Sequence, residues 1–225
     1  MAPPSYLRPA CELAERVLLP GDPHRALAVA QLVLDKPRMF NHARGLWGYT
    51  GIAADGRPLS IQSTGIGGPS TAIVCEELVG LGATRLIRIG TCMPLAPELE
   101  PGDLLAAETV LPADGASAAL GANGRLEPDA QLLEALVRAG ARPAAVVSAD
   151  LIYERTHERA GGWAERGALA LDLESAALLR VGRLREVSTA SVLAVRALTE
   201  DEDDREALAQ RLGTVGYEAL AATTR

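Results

Sequence analysis

Short aliphatic runs that stop at glycine-rich or arginine-bearing loops, with helical patterns close behind, constrain this chain more than any other feature. Val17-Leu18-Leu19 ends at Pro20-Gly21-Asp22-Pro23 and gives way to a helical segment over Arg25 to Leu34. Pro58 to Thr64 enters Gly65-Ile66-Gly67-Gly68-Pro69, after which Thr71 to Leu81 carries apolar residues at helical spacing. Arg85 to Gly90 forms a third short strand, ending at Thr91. A loop of this kind lies beside a helix N-terminus, where unpaired N–H groups and the helix dipole favour an anion. The alternation predicts an α/β protein with a central mixed β-sheet, largely buried and flanked by helices on both sides. Ligands in such folds collect at loops leaving the strand ends.

The remaining pattern extends this reading. Gly48 to Ala54 and Pro58 to Thr64 flank Asp55-Gly56, a turn pair that favours a hairpin. Leu104 to Leu111, Ala144 to Ser148 and Ser191 to Ala197 read as strands; Asp129 to Ala139, Asp172 to Val181 and Asp204 to Ala222 read as helices. Gly115 to Gly124 reads as a small-residue loop, and the acidic run Glu200 to Asp204 as a solvated helix start. No Ser/Gly-rich or Pro-rich linker divides the 225 residues, so a single domain, 1-225, is expected.

Composition narrows the partners. Aromatic residues make up only 3%, which leaves the core to Leu, Val, Ile and Ala. A net charge of -7 argues against non-specific nucleic-acid binding, which needs a basic face, although a basic pocket remains compatible with it. Lys36 is the only lysine, so nearly all positive charge is arginine. Cys11, Cys75 and Cys92 are odd in number and contain no Cys-x-x-Cys pair, which indicates neither a disulfide framework nor a zinc site and fits a reducing cytoplasm. Neither an export signal nor a membrane span is expected.

Four motifs occur in a telling order: Gly21-Asp22-Pro23-His24-Arg25, Ser63-Thr64-Gly65-Ile66-Gly67-Gly68-Pro69-Ser70, Arg88-Ile89-Gly90-Thr91 and Leu173-Glu174-Ser175-Ala176. Glycines let backbone N–H groups approach an oxyanion, and the arginines add fork-shaped donors suited to phosphate. Over almost its whole length the chain resembles the hexameric nucleoside phosphorylases that include uridine phosphorylase and bacterial purine nucleoside phosphorylase. It is similar to uridine phosphorylase at Ser63 to Thr71, Asp114-Gly115-Ala116-Ser117 and Glu174-Ser175-Ala176, and to the purine enzymes at Ser148-Ala149-Asp150-Leu151. The resemblance assigns phosphate binding to Gly21, Arg25, Arg88 and Thr91. Asn41-His42-Ala43-Arg44-Gly45 matches the segment whose arginine reaches a neighbouring subunit's phosphate, which gives Arg44 that role and implies a homo-oligomer, with a dimer as the minimal unit and a hexamer compatible with it.

In the same way, Glu174 resembles the glutamate that accepts hydrogen bonds from ribose hydroxyls, and Leu173 and Ile66 match positions that pack on the nucleoside. Ile152 stands where relatives stack an aromatic on the base, so stacking is weaker or Tyr153 contributes. The family's N-terminal histidine is absent, leaving Ser5 or Tyr6 in its place, and Met93 stands where relatives usually carry glycine. Matching Val195 to Glu200 with the strand before the purine enzymes' catalytic Asp puts Glu200 in the general-acid position; a one-residue slip gives it to Asp201. His157-Glu158-Arg159 resembles the segment by which uridine phosphorylases hold uracil, with His157 and Arg159 as base contacts.

The resulting expectation is reversible phosphorolysis of a nucleoside, purine or modified purine over uridine, to free base and (deoxy)ribose 1-phosphate. Arg88 and Glu200 carry the catalysis, orthophosphate is the co-substrate, and no metal or organic cofactor is required. A nucleoside hydrolase of the same fold and a non-catalytic nucleoside-binding protein are the competing readings.

Overall fold

Strand β1 (Arg16–Leu19) is buried at every position and occupies the middle of the sheet, parallel to its neighbours on both sides. The computed structural model describes residues 5–153, 156–197 and 201–223, without the side chains of 156–159. After β1 come α1 (Pro23–Val33), β2 (Leu34–Asn41), a 3-10 turn (Ala43–Gly45), β3 (Gly48–Ala53), β4 (Pro58–Gln62), α2 (Gly68–Gly80) and β5 (Arg85–Pro94). The second half runs β6 (Leu104–Ala113), α3 (Gly115–Ala119), α4 (Ala130–Arg138), β7 (Arg142–Ala149), α5 (Thr156–Glu165), β8 (Ala170–Asp172), α6 (Ser175–Arg185), β9 (Ser188–Val195) and α7 (Glu202–Ala222).

The sheet is mixed, nine-stranded, and ordered β2-β3-β4-β1-β5-β8-β7-β6-β9. It also closes on itself: β9 pairs with both β6 and β5, so β5, β8, β7, β6 and β9 form a ring to which β1, β4, β3 and β2 are appended. The ring is possible because β5 runs for ten residues, along β9 from Arg85 to Cys92 and then, antiparallel, against β8 at Met93 and Pro94. Helices cover both faces as the alternation requires. Ile87 and Ile89 pack into the cluster that holds Ala26 and Val29 of α1, Leu132 of α4 and Leu212 of α7. Leu86 lies instead with Val74 and Leu78 of α2 and Leu178 of α6. A Cβ at Gly216 would meet Leu18 at 2.9 Å and Ile89 at 2.8 Å, so the glycine lets α7 press its backbone onto the sheet.

Carboxylates set several helix starts. Asp22 accepts from the His24 N–H ahead of Pro23, Asp129 accepts from the N–H groups of Gln131 and Leu132, and Asp201 accepts from Asp204 N–H. Three sequence expectations need correction. Gly115 to Gly124 is not all loop, because Asp114 caps the short helix α3 through the Ser117 N–H at 2.7 Å. Leu34 does not end a helix but begins β2, hidden from pattern reading by Pro37; the strand lies at the sheet edge, with a register shift between Asp35 and Arg38 that absorbs the proline. Asp172 does not start a helix either. It ends β8, because Ala170 to Asp172 pair with Val146 to Ser148 of β7, and α6 begins at Ser175.

Candidate active site

Arg88 is the centre of the site. Strand alternation sends it to the face opposite Ile87 and Ile89, where it is 4% exposed. Its Nε donates to Asp172 Oδ2 at 3.1 Å and its Nη2 donates to Glu174 Oε2. The guanidinium folds back over Gly90, where a Cβ would lie 2.5 Å from Cζ and Nη2. A side chain at position 90 and this pose of Arg88 are therefore incompatible. Nη1 is buried and makes no hydrogen bond among the described residues, and it lies 3.9 Å from where a Cβ on Gly21 would stand. Burial opposes the charge on Arg88, but Glu174 and Asp172 outweigh it and leave the guanidinium harder to deprotonate than usual.

The two carboxylates are themselves held. Asp172 Oδ2 accepts from the Ser175 N–H at 3.0 Å and the Ser175 hydroxyl at 2.7 Å, while Oδ1 accepts from the Ser148 hydroxyl at 2.5 Å. Ser148 Oγ in turn accepts from the Ala176 N–H at 2.9 Å, joining β7 to α6. Glu174, 5% exposed at the N-cap position of α6, accepts from the Gly67 N–H at 2.8 Å through Oε1. Burial pushes its carboxyl above the ordinary range, with Arg88 acting against that and Asp172 adding to it. Asp172 lies outside every motif read from the sequence, whereas Ser148, Ser175, Gly67 and Gly90 fall inside those motifs but received no individual role there.

The glycine loops converge on this cluster. Thr64 N–H donates to Pro20 O at 2.9 Å, tying the loop after β4 to the one after β1. Gly21 and Arg25 are half-buried, at the end of the β1 loop and in the first turn of α1, and Thr91 is half-buried on β5 three residues beyond Arg88. Arg44 stands apart. It is exposed, has left-handed backbone angles (φ 59°, ψ 19°), and its guanidinium carbon is 4.8 Å from the centroid of the Tyr6 ring.

Beside β5, Met93, Ile152 and Leu173 pack half-buried on the cluster of Leu111, Val147, Ala149, Trp163, Ala168 and Leu171. Met93 thus fills space against Leu171, its antiparallel partner in β8. Ile66 and Tyr153 project into solvent, 81% and 79% exposed. Glu200 lies outside the described residues, as do the side chains of His157 and Arg159, which fall on α5. Asp201, the alternative acid, is exposed and engaged as the cap of α7. A separate surface groove of about 590 Å³ lies at the start of β9, lined by Arg125, Asp129, Arg183, Glu186 and Ser188 among others, and shares no residue with the Arg88 cluster. Among the described residues no group of His, Cys, Asp and Glu is placed to hold a metal, and no helix is long and apolar enough to cross a membrane.

A mixed sheet with anion-ready loops around a buried arginine and two carboxylates defines an enzyme-like α/β site. The family described as the phosphorylase superfamily matches residues 15–224, and the chain belongs to it. The chain is 34% identical over 194 residues to a protein named "Purine nucleoside phosphorylase DeoD-type" from Caldanaerobacter subterraneus subsp. tengcongensis, covering 82% of this chain and 83% of that one. It is also 34% identical to a protein of the same name from Clostridium perfringens, covering 87% of each. A crystal structure of uridine phosphorylase from Vibrio fischeri superposes with a TM-score of 0.79 at 27% identity, covering 93% of this chain and 90% of that one.

Proposed function

We propose that this protein is a nucleoside phosphorylase that reversibly converts a purine or modified purine nucleoside and phosphate to free base and (deoxy)ribose 1-phosphate. The observation that carries the reading is the buried Nη1 of Arg88 beside Gly21, unbonded among the described residues, on a guanidinium whose other edge is fixed by Asp172 and Glu174. A buried donor without a partner costs about 1–3 kcal/mol, and an oxyanion satisfies it. Phosphate takes its place among Gly21, Arg25, Arg88 and Thr91, with Arg44 supplied by a neighbouring copy in a homo-oligomer. One phosphate oxygen attacks the anomeric carbon as the bond to the base nitrogen breaks.

Glu174 keeps acceptor capacity on both oxygens after bonding Gly67 and Arg88, which suits two adjacent ribose hydroxyls. Its charge and the phosphate's stabilise the oxocarbenium-like sugar between them. Leu173 and Ile152 supply the apolar wall for the nucleoside, with Tyr153, His157 and Arg159 at the base end. The electron pair of the broken bond goes to the base, and the Glu200 carboxyl returns a proton to its ring nitrogen. The purine choice rests on the names of the two relatives and on a carboxyl at position 200; a cytoplasmic setting is supported by three cysteines that remain free thiols.

The test is release of base from a panel of purine and pyrimidine nucleosides with and without phosphate. Phosphate-dependent purine release is expected, and Arg88→Ala removes it. Phosphate-independent release means a hydrolase, and binding without release means a nucleoside-binding protein; either overturns the proposal.

A further inference from the structure

We propose that Tyr6 is a positioning residue for phosphate binding: its ring holds the Arg44 guanidinium in place while leaving every N–H donor of that guanidinium open to an anion. This rests on the role given above to Arg44. A side chain at the surface on a left-handed backbone position has little to fix it, and Arg44 has no carboxylate partner among the described residues. The Tyr6 ring, 4.8 Å from Cζ, attracts the cation through its π-face. A carboxylate in that place would consume donors and cancel the charge; an aromatic face does neither.

The platform under this pair is built rather than incidental. Glu77 on α2 grips three successive N–H groups, Ser5 at 2.7 Å, Tyr6 at 2.9 Å and Leu7 at 2.7 Å. Leu7, 1% exposed, is sunk in the core beside Phe40. Asn41, fully buried, accepts from Arg8 N–H at 2.8 Å and from Ala43 N–H at 3.3 Å, and donates to Leu46 O at 2.5 Å. One amide thus fastens the segment that carries Tyr6 to both ends of the turn that carries Arg44. The tyrosine hydroxyl has no part in this, so the ring alone matters.

The test compares Tyr6→Phe, Tyr6→Leu, Arg44→Ala and the Tyr6→Leu/Arg44→Ala double variant in steady-state phosphorolysis, with inorganic phosphate affinity read in parallel by calorimetry. Tyr6→Leu raises the phosphate KM about 2- to 5-fold, the scale of an exposed cation–π contact, with the nucleoside KM moving far less. Tyr6→Phe keeps the wild-type phosphate KM, and Tyr6→Leu adds nothing once Arg44 is alanine. A Tyr6→Leu effect that persists without Arg44, or that falls equally on the nucleoside KM, overturns the proposal. If Arg44→Ala raises the phosphate KM and Tyr6→Leu does not, the Tyr6 inference alone falls. If Arg44→Ala changes nothing, the phosphate role of Arg44 falls and Tyr6 with it.

Discussion

Replacing Gly90 by alanine tests the geometry of the site most directly, because the sign of the effect is itself diagnostic. A glycine-to-alanine change at an unstrained position normally stabilises by about 0.4–1 kcal/mol through the unfolded chain. Here the new methyl would stand 2.5 Å from Arg88 Cζ and Nη2 and 2.8 Å from Nε. Non-bonded carbon contacts settle near ~3.5 Å, so the guanidinium must retreat by roughly 1 Å. That stretches the 3.1 Å bond to Asp172 beyond hydrogen-bonding range and displaces the contact with Glu174. A buried cation parted from its carboxylates costs about 3–5 kcal/mol, which for a chain of this size lowers Tm by roughly 10 °C. Losing one charge-assisted contact to phosphate, about 1.5–3 kcal/mol, raises the phosphate KM about 10- to 100-fold. Calorimetric melting and phosphate-dependent kinetics read both, and in an Arg88→Met background the same Gly90→Ala change loses its penalty. A Gly90→Ala protein that melts at or above the wild-type temperature with an unchanged phosphate KM would refute the pose of Arg88.

Three further outcomes follow from groups outside the site. Arg16, 2% exposed, donates through both Nη atoms to Asp55 at 2.6 Å, and Arg57 also bonds that carboxylate, so these arginines hold the Asp55 carboxyl well below the usual carboxylate range. A depressed folded pKa contributes stability that is complete above the unfolded value near ~4 and is lost as pH falls below it. Melting temperature therefore drops on acidification below about pH 4 more steeply in the wild type than in Asp55→Asn, and Asp55→Ala costs about 3 kcal/mol at neutral pH by stranding Arg16; parallel slopes for wild type and Asp55→Asn would refute the linkage. Burial pushes the Cys75 thiol up to about 12 and also raises that of Cys92, while Cys11 is half-buried near the chain start. A thiol titration should count one fast-reacting cysteine in the native protein and three in denaturant, and fast reaction of more than one would contradict the packing around β5.

Local pattern made much of the architecture legible. The aliphatic runs of β1, β4 and β5 and the Asp55-Gly56 turn act over a few residues, and their placement follows from period and turn chemistry alone. The motifs likewise located Gly21, Arg88 and Glu174, two of which prove buried and bonded to each other across 86 positions of sequence. Elements whose existence depends on distant partners were misread: β2 is a strand because β3 pairs with it, and β8 because β5 and β7 do.

By itself the sequence determined an α/β alternation, the positions of its anion-ready loops and the residue types at their tips. Only the tertiary structure decided that five strands close into a ring, that Asp172 rather than Glu174 alone secures Arg88, and that Gly90 is required by a side chain two residues away. The physical reason is range. Turn and cap preferences are settled by neighbouring backbone, whereas the pose of a buried guanidinium is set by which carboxylates the folded chain brings to it, and no local pattern records that meeting.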